Sequence, residues 1–147
     1  MKRALFILGV LGDEDVDWLV SAGHRREIAS NEVLIQEQVS NAALYLILSG
    51  QFVVSVARSP QTKIAHLFSG EVVGEMSFVD QLPSSATVTA AEPSVVLEIG
   101  RTVLNQKLAQ DVGFACRWYQ ALAILLSTRL RGTVRYLEAE FWQPFTL

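Results

Sequence analysis

Short runs of hydrophobic residues, many of them β-branched or aromatic, follow one another through residues 25–99 and are separated by Gly, Pro, Ser or Asn. Such runs are typical of short β-strands joined by tight turns. Ser49-Gly50 lies between two of the runs, which predicts a two-residue hairpin. Because no long helical pattern interrupts the series, we predict an antiparallel β jelly-roll barrel rather than a parallel sheet. The predicted strands are residues 33–35, 44–48, 52–56, 64–68, 86–90 and 95–99.

Helical patterns flank these strands on both sides. Residues 13–23 predict a short helix with acidic residues in its first turn and a stop at Gly23. Residues 102–109 predict a second short helix, and Asp111 is a candidate cap for a long helix over residues 112–139. Gly132 is a weak point in that long helix. Apolar positions recur along it at spacings of three and four residues, at Phe114, Trp118, Leu122, Leu125, Leu126, Leu130, Val134 and Leu137.

Together these elements predict one mainly β domain with flanking helices over residues 1–147. It divides into an N-terminal helical segment (1–24), the β barrel (25–100) and C-terminal helices (101–147). Residues 1–11 resemble the start of a signal peptide, since a basic tripeptide precedes an apolar run. No small-residue cleavage site follows, and acidic residues begin at Asp13, so we predict an apolar arm or short helix that packs on the barrel.

The net charge and the cysteine content limit the partners and the compartment expected for the chain. The formal net charge of -3 argues against a nucleic-acid partner, because phosphate contacts require clustered Lys and Arg. The one cysteine, Cys116, cannot form an internal disulfide, which favours the cytoplasm. No apolar run approaches the roughly 18 residues of a membrane span.

Residues 70–90 contain the most informative pattern. Gly74-Glu75-Met76 is followed, after a hydrophobic turn, by Pro83-Ser84-Ser85-Ala86-Thr87-Val88. This order resembles the phosphate-binding cassette of the cyclic-nucleotide-binding family, which includes kinase regulatory subunits, gated channels and the catabolite activator protein. Residues 44–50 resemble that family's Tyr-Ile-Ile-x-x-Gly hairpin, and Gly70 matches the glycine before the cassette. The resemblance extends over residues 13–131.

The resemblance implies a site for a cyclic nucleotide or a related anionic small molecule, with no other cofactor and no metal. It implies that Glu75 accepts a hydrogen bond from a ribose hydroxyl, while Ser85 and the amide of Ala86 face the phosphate. On physical grounds, a glycine-tipped turn that leads into a helical turn presents N–H donors to an anion. The alternative for Glu75 is a solvated loop carboxylate. The candidate ligand-binding residues are Gly74, Glu75, Met76, Ser84, Ser85, Ala86 and Thr87.

One position in the cassette departs from the family. Ser84 occupies the position of the arginine that pairs with the phosphate, and serine supplies neither a charge nor a planar fork. Losing such a contact costs about 2–5 kcal/mol, so cyclic AMP is expected to bind poorly unless Arg58 or Arg117 supplies a cation. Asn31 also stands where the family usually has glycine, and asparagine is the non-glycine residue that best tolerates a positive φ. Gln38 replaces another turn glycine, which predicts an altered loop.

Two functions therefore remain open. One is a regulatory sensor that couples ligand binding to the C-terminal helix; the other is a degenerate barrel that acts only in protein interaction or dimerisation. A catabolite-activator-like transcription factor is not expected, because no helix-turn-helix can be placed after Arg101. An enzyme is not expected either, since His24 and His66 form no metal-ligand motif and Cys116 is predicted to be a small packing residue. The Pro-Ser-Ala-Thr form of the cassette resembles bacterial regulators, some of them associated with transport systems.

The long helix is also the predicted partner site. A barrel of this size covers only part of such a helix, so a homodimer is expected through its exposed apolar residues. Trp118 and Tyr119 are candidates for ligand-base contacts or, more simply, for packing on the barrel. The predicted dimerisation residues are Leu122, Leu126, Leu130, Val134 and Leu137.

Overall fold

The computed structural model of the chain describes the backbone of residues 9–141 and the side chains of residues 9–59 and 62–136. Among the described residues, the elements follow the predicted order, with helix before the strands, one short helix among them and two helices after them. Most of the N-terminal arm predicted at residues 1–11 lies outside the described residues. In chain order the elements are α1 (Asp13–Ala22), β1 (His24–Ile28), β2 (Val33–Ile35), β3 (Ala43–Ser49), β4 (Gln51–Val56), β5 (Ser59–Phe68), β6 (Val72–Val73), α2 (Glu75–Asp80), β7 (Thr87–Ala90), β8 (Ser94–Gly100), α3 (Arg101–Gln110) and α4 (Val112–Phe141).

The strands form two four-stranded antiparallel sheets, in the orders β1-β8-β3-β6 and β2-β7-β4-β5. The jelly-roll class is therefore confirmed, but the sheets face each other as a sandwich instead of closing into a barrel. Among the described residues, no hydrogen-bonded ladder joins one sheet to the other. Strand β1, which the sequence did not predict, pairs with β8 over its whole length.

The central strands of the first sheet, β3 and β8, are largely buried on both faces, which explains their apolar runs. On one face, Ile47 and Val96 pack with Phe52 of the second sheet. On the other face, Leu44 and Ile99 pack against the helices. The first sheet is thus a middle layer between the second sheet and α4.

Helix α4 is the longest element, with 30 residues and therefore a length of about 45 Å. Asp111 begins it as predicted, because its Oδ1 accepts a hydrogen bond from the Phe114 amide at 3.0 Å. That bond, followed by Lys107, lowers the pKa of Asp111. The helix continues through Gly132, whose position has open space around it. Its inward stripe, which is buried against the first sheet and α3, consists of Phe114, Trp118, Ala121, Leu122 and Leu125. Among the described residues, no helix is apolar enough over a sufficient length to cross a membrane.

An ion pair ties α1 to the first turns of α4. Arg117 donates two hydrogen bonds to the buried carboxylate of Asp15, from Nε at 2.6 Å and from Nη2 at 2.9 Å. The hydrogen bond from Arg117 is the main reason that the pKa of Asp15 is lowered; burial opposes it, and the Gly12 N–H adds to it. The N-terminal part of α4 is therefore held to the domain by a charge pair as well as by its apolar stripe.

Replacing Asp15 by asparagine is expected to lower the midpoint of urea unfolding at neutral pH. Because the pKa of Asp15 is lower in the folded chain, its contribution is complete above the ordinary aspartate value of about 3.9 and is lost as pH falls through the folded value. The difference between wild type and Asp15→Asn should therefore shrink below about pH 4. Asp17→Asn, at an exposed position of the same helix, is the control. An equal difference in acid and at neutral pH would contradict this account.

Candidate ligand-binding site

The glycine that opens the cassette adopts a backbone conformation that other residues avoid. Gly74 has a φ of +91°, in the left-handed region, and lies between β6 and α2. A Cβ at this position would lie 2.9 Å from the carbonyl oxygen of Ala43 and 2.7 Å from Nδ2 of Asn41. The turn can therefore form only with glycine, and it starts the six-residue helix α2. The predicted glycine turn and helical turn are both confirmed.

Glu75, the first residue of α2, is buried and forms an ion pair with a residue from the far end of the chain. Its side chain is 7% exposed, and its Oε1 accepts a hydrogen bond from Nη1 of Arg129. Arg129 lies in α4 and also donates from Nη2 to the carbonyl oxygen of Val72 at 2.6 Å. The guanidinium therefore bridges β6 and α2, the two elements on either side of Gly74. Glu75 is not the solvated loop carboxylate of the alternative interpretation.

The loop between β2 and β3, residues 36–42, holds the other end of the cassette. The amide of Ser84 donates to the carbonyl oxygen of Val39 at 3.3 Å, and the amide of Gln38 donates to the carbonyl oxygen of Ser84 at 2.7 Å. The hydroxyl of Thr87 accepts from the amide of Glu37 at 3.0 Å. Asn41 of the same loop lies against Gly74. This one loop thus contacts both ends of the predicted site.

Asn31 and Gln38, which stand where the family has glycine, both adopt positive φ values, of 70° and 64°. Asparagine is among the residues that best tolerate this conformation, as the sequence suggested. Gln38 lies in the loop that contacts Ser84. Both positions therefore adopt the left-handed conformation that glycine adopts most readily, without glycine.

The remaining candidate residues differ in their access to solvent. Ser84 is buried, whereas Ser85 is exposed and Ala86 is half-buried. Met76 is 54% exposed and points away from the core side of α2, which Ser77 and Phe78 form. Because the amide of Ser84 donates to Val39, a ligand site here would depend on Ser85, the amide of Ala86 and the carboxylate of Glu75.

Among the described residues, the arginines that contact the cassette are not ones that the sequence suggested: Arg129 pairs with Glu75, and Nη2 of Arg101 donates to the carbonyl oxygen of Ser77 at 3.2 Å. Arg117 is held by Asp15, and Arg58 is exposed in the turn between β4 and β5. Arg129, a charged residue of the long helix, faces inward. A signal for this was present: Arg129 follows Leu125 by four residues and so continues the inward stripe of α4.

The predicted partner residues on α4 divide between its two sides. Leu122 is buried in the core, Leu126 is half-buried, and Leu130 and Val134 are exposed; the side chain of Leu137 lies outside the described residues. Trp118 packs in the core between Phe78 and Phe114, as predicted. Tyr119 is 50% exposed, so it does not pack on the sheets. The prediction that Cys116 is a packing residue is wrong, because it is exposed: it lies on the side of the helix opposite the core.

Within the part of the chain whose side chains are described, no three His, Cys, Asp or Glu residues come together as a metal site would require. His66 is exposed, and its Nδ1 lies 2.8 Å from Nε2 of Gln51. Among the described residues, the candidate site is the cassette with its contacts to residues 36–42 and Arg129.

Comparison with known proteins matches this site to one family. The family model described as "Cyclic nucleotide-binding domain" matches residues 25–111, more than half of the chain. A Pycsar effector protein of Pseudomonas aeruginosa, PaPycTIR, is 39% identical over 92 residues, which are 61% of this chain and 29% of that protein. The chain spans less than a third of the length of the curated relative.

Solved structures agree with the fold. A cyclic nucleotide-binding domain from Methylobacillus flagellatus superposes with a TM-score of 0.83 at 24% identity, covering 98% of this chain and 87% of that one. The catabolite activator protein of Thermus thermophilus superposes with a TM-score of 0.76 at 27% identity, covering 91% of this chain and 62% of that one.

Proposed function

Since the chain belongs to the cyclic nucleotide-binding domain family, we propose that it is a regulatory module that binds a cyclic nucleotide or a related anionic ligand at residues 74–87 and transmits that binding to α4. The observation that carries the proposal is the ion pair between Glu75 of the cassette and Arg129 of α4. The ion pair connects Glu75, which is expected to bind ribose, with α4, the helix that is expected to respond to ligand binding.

In this proposal the ligand separates Glu75 from Arg129, because each of the two side chains binds a different part of the ligand. Ribose hydroxyls donate to the carboxylate of Glu75, and the phosphate pairs with the guanidinium of Arg129, which is the cation nearest to that carboxylate among the described residues. Arg129 thereby takes the charge-pairing role that Ser84 cannot fill. Because Arg129 belongs to α4, a displacement of its side chain toward the phosphate changes the contacts that hold α4 to the cassette.

The same arrangement implies weak binding. A ligand must compete with an ion pair that is already formed, and Ser84 brings no charge of its own. Loss of a buried charge-assisted contact costs about 2–5 kcal/mol, which corresponds to roughly 30- to several-thousand-fold in affinity. Cyclic AMP is therefore expected to bind at high micromolar to millimolar concentration.

The second candidate function is a degenerate domain without nucleotide binding, which acts only in protein interaction. The satisfied Glu75–Arg129 pair favours it, because no polar group in that pair needs a ligand. Both functions are regulatory and non-enzymatic. The lone, exposed Cys116 supports the cytoplasm as the compartment in either case.

A thermal-shift screen against cyclic mono- and dinucleotides, followed by calorimetry, tests the proposal. A ligand at about 100 times its dissociation constant adds about 2.7 kcal/mol to the free energy of unfolding, which gives a clear shift of the melting temperature. Arg129→Gln should abolish that shift if Arg129 pairs with the phosphate. Arg131→Gln, which removes an exposed arginine two residues further along α4, should retain it.

The two candidate functions give different results in this screen. No heat of binding in calorimetry, and no shift with any cyclic nucleotide at concentrations up to tens of millimolar, would support the degenerate domain. A shift that Arg129→Gln preserves would show that the ligand is bound without the cation of α4, and would contradict the coupling.

A further inference from the structure

Helix α2, which carries Glu75 at its start, is too short to be stable alone. It has six residues, Glu75–Asp80, whereas isolated helices of fewer than about 12–15 residues are marginal in water. It follows Gly74, which offers no side chain as a cap, and its last turn contains no basic residue. Contacts from elsewhere in the domain must therefore keep α2 helical.

The carboxyl end of α2 has the greater need for such a contact. Asp80 places a negative charge in the last turn, next to the negative end of the helix dipole. Its carboxylate accepts a hydrogen bond from the amide of Leu82 at 2.9 Å, just beyond the helix. Met76 and Val79 are 54% and 50% exposed, so apolar packing secures only one side of α2.

Arg101, the first residue of α3, contacts this end of α2. Its Nη2 donates to the carbonyl oxygen of Ser77 at 3.2 Å, and the same oxygen accepts from the amide of Gln81 at 2.8 Å. A cation at the carboxyl end of a helix is favourable because it compensates the helix dipole. The amide of Arg101 donates to the carbonyl oxygen of Ala42 at 2.8 Å, in the loop of residues 36–42. Arg101 therefore connects α2, that loop and α3.

We infer that Arg101 is a positioning residue of the ligand site, which holds the carboxyl end of α2 while Arg129 holds its amino end. The inference rests on the proposed function only for its effect on ligand binding. In that proposal the ligand separates Arg129 from Glu75, so α2 loses its ion pair with α4. The bond from Arg101 to Ser77 does not involve Glu75, so it persists and keeps Glu75 in place for the ribose. Ligand binding is thereby linked to α3 as well as to α4.

Hydrogen exchange of the amides of Phe78 and Gln81, measured by NMR on the full chain without ligand, tests whether Arg101 holds α2. These amides donate to the carbonyl oxygens of Gly74 and Ser77, so they exchange when α2 opens. Arg101→Gln removes the charge and should make both exchange about tenfold faster, as expected for loss of one hydrogen bond from a charged donor. Arg101→Lys should stay close to the wild type, because an ammonium group also supplies a charged donor.

Another basic residue of α3 provides the matched control. Lys107 bonds to Asp111 beyond the other end of α3, so Lys107→Gln should leave exchange in α2 unchanged. Equal acceleration in Lys107→Gln and Arg101→Gln would overturn the inference, and so would wild-type rates in Arg101→Gln. Faster exchange at Val96 of β8 without faster exchange at Gln81 would also overturn it, because Arg101 would then stabilise the sheet instead of α2.

The effect on ligand binding follows from the same opening. A ligand that requires closed α2 binds with an apparent dissociation constant that rises by the inverse of the closed fraction. Arg101→Glu adds a second negative charge near Asp80 and should raise the apparent dissociation constant of cyclic AMP about fivefold or more in an NMR titration. Arg101→Lys should leave that constant unchanged.

The titration separates this inference from the proposed function. An unchanged dissociation constant in Arg101→Glu, while α2 exchanges rapidly, would overturn the positioning role. If no cyclic nucleotide binds the wild type, the proposed function fails, and the exchange rates of Phe78 and Gln81 alone decide whether Arg101 holds α2.

Discussion

Replacing Glu75 by alanine is expected to lower the free energy of unfolding by about 2–3 kcal/mol, because removal of one member of a buried ion pair leaves the other charge without its partner. Arg129 is 21% exposed, so water can compensate only part of the loss, and its remaining described bond is to the carbonyl oxygen of Val72. Urea unfolding followed by circular dichroism measures the change. Glu92→Ala, which removes an exposed carboxylate between β7 and β8, should change the free energy of unfolding little.

A second variant distinguishes the cost of the unpaired Arg129 charge from the cost of losing the Glu75 side chain itself. Glu75→Ala/Arg129→Met removes both charges and keeps an apolar stem on α4, so it should recover part of the stability lost in Glu75→Ala. If the double variant is instead less stable than Glu75→Ala, Arg129 stabilises α4 mainly through Val72 and the ion pair does not carry the link to the cassette.

Introducing arginine at position 84 is expected to raise the affinity for cyclic AMP by about tenfold or more, because a planar guanidinium restores a charge-assisted pair with the phosphate. The backbone of Ser84 is already fixed by hydrogen bonds with Gln38 and Val39, so the new side chain starts from an ordered position. Calorimetric titration of Ser84→Arg and the wild type measures the change.

Ser85→Arg is the matched control for this variant, since it adds the same charge at the adjacent, exposed position. An equal gain from both variants would mean that the added charge attracts the nucleotide from a distance and forms no specific pair. No gain from Ser84→Arg would mean that the cassette is closed to the ligand even when the charge is restored.

The central strands and the cassette turn were predictable from local pattern. The run of Leu44-Tyr45-Leu46-Ile47 is apolar at every position, and the structure buries it from both sides. Gly74 was identified by motif, and its left-handed conformation shows why glycine is required there. By contrast, β1 is mostly polar and exposed, so its sequence carries no strand signal; it forms because β8 offers an unpaired edge.

The sequence by itself determined the central strands, the start of the long helix and the glycine turn of the cassette, because these depend on neighbours close in the chain. Only the tertiary structure decided that Arg129 reaches Glu75, 54 positions away, and that Asp15 engages Arg117. It also decided which apolar positions of α4 the domain buries, since buried Leu125 and exposed Leu130 belong to one series of helical spacing. Long-range pairing depends on how layers stack, and periodicity within one element contains no information about what lies against it.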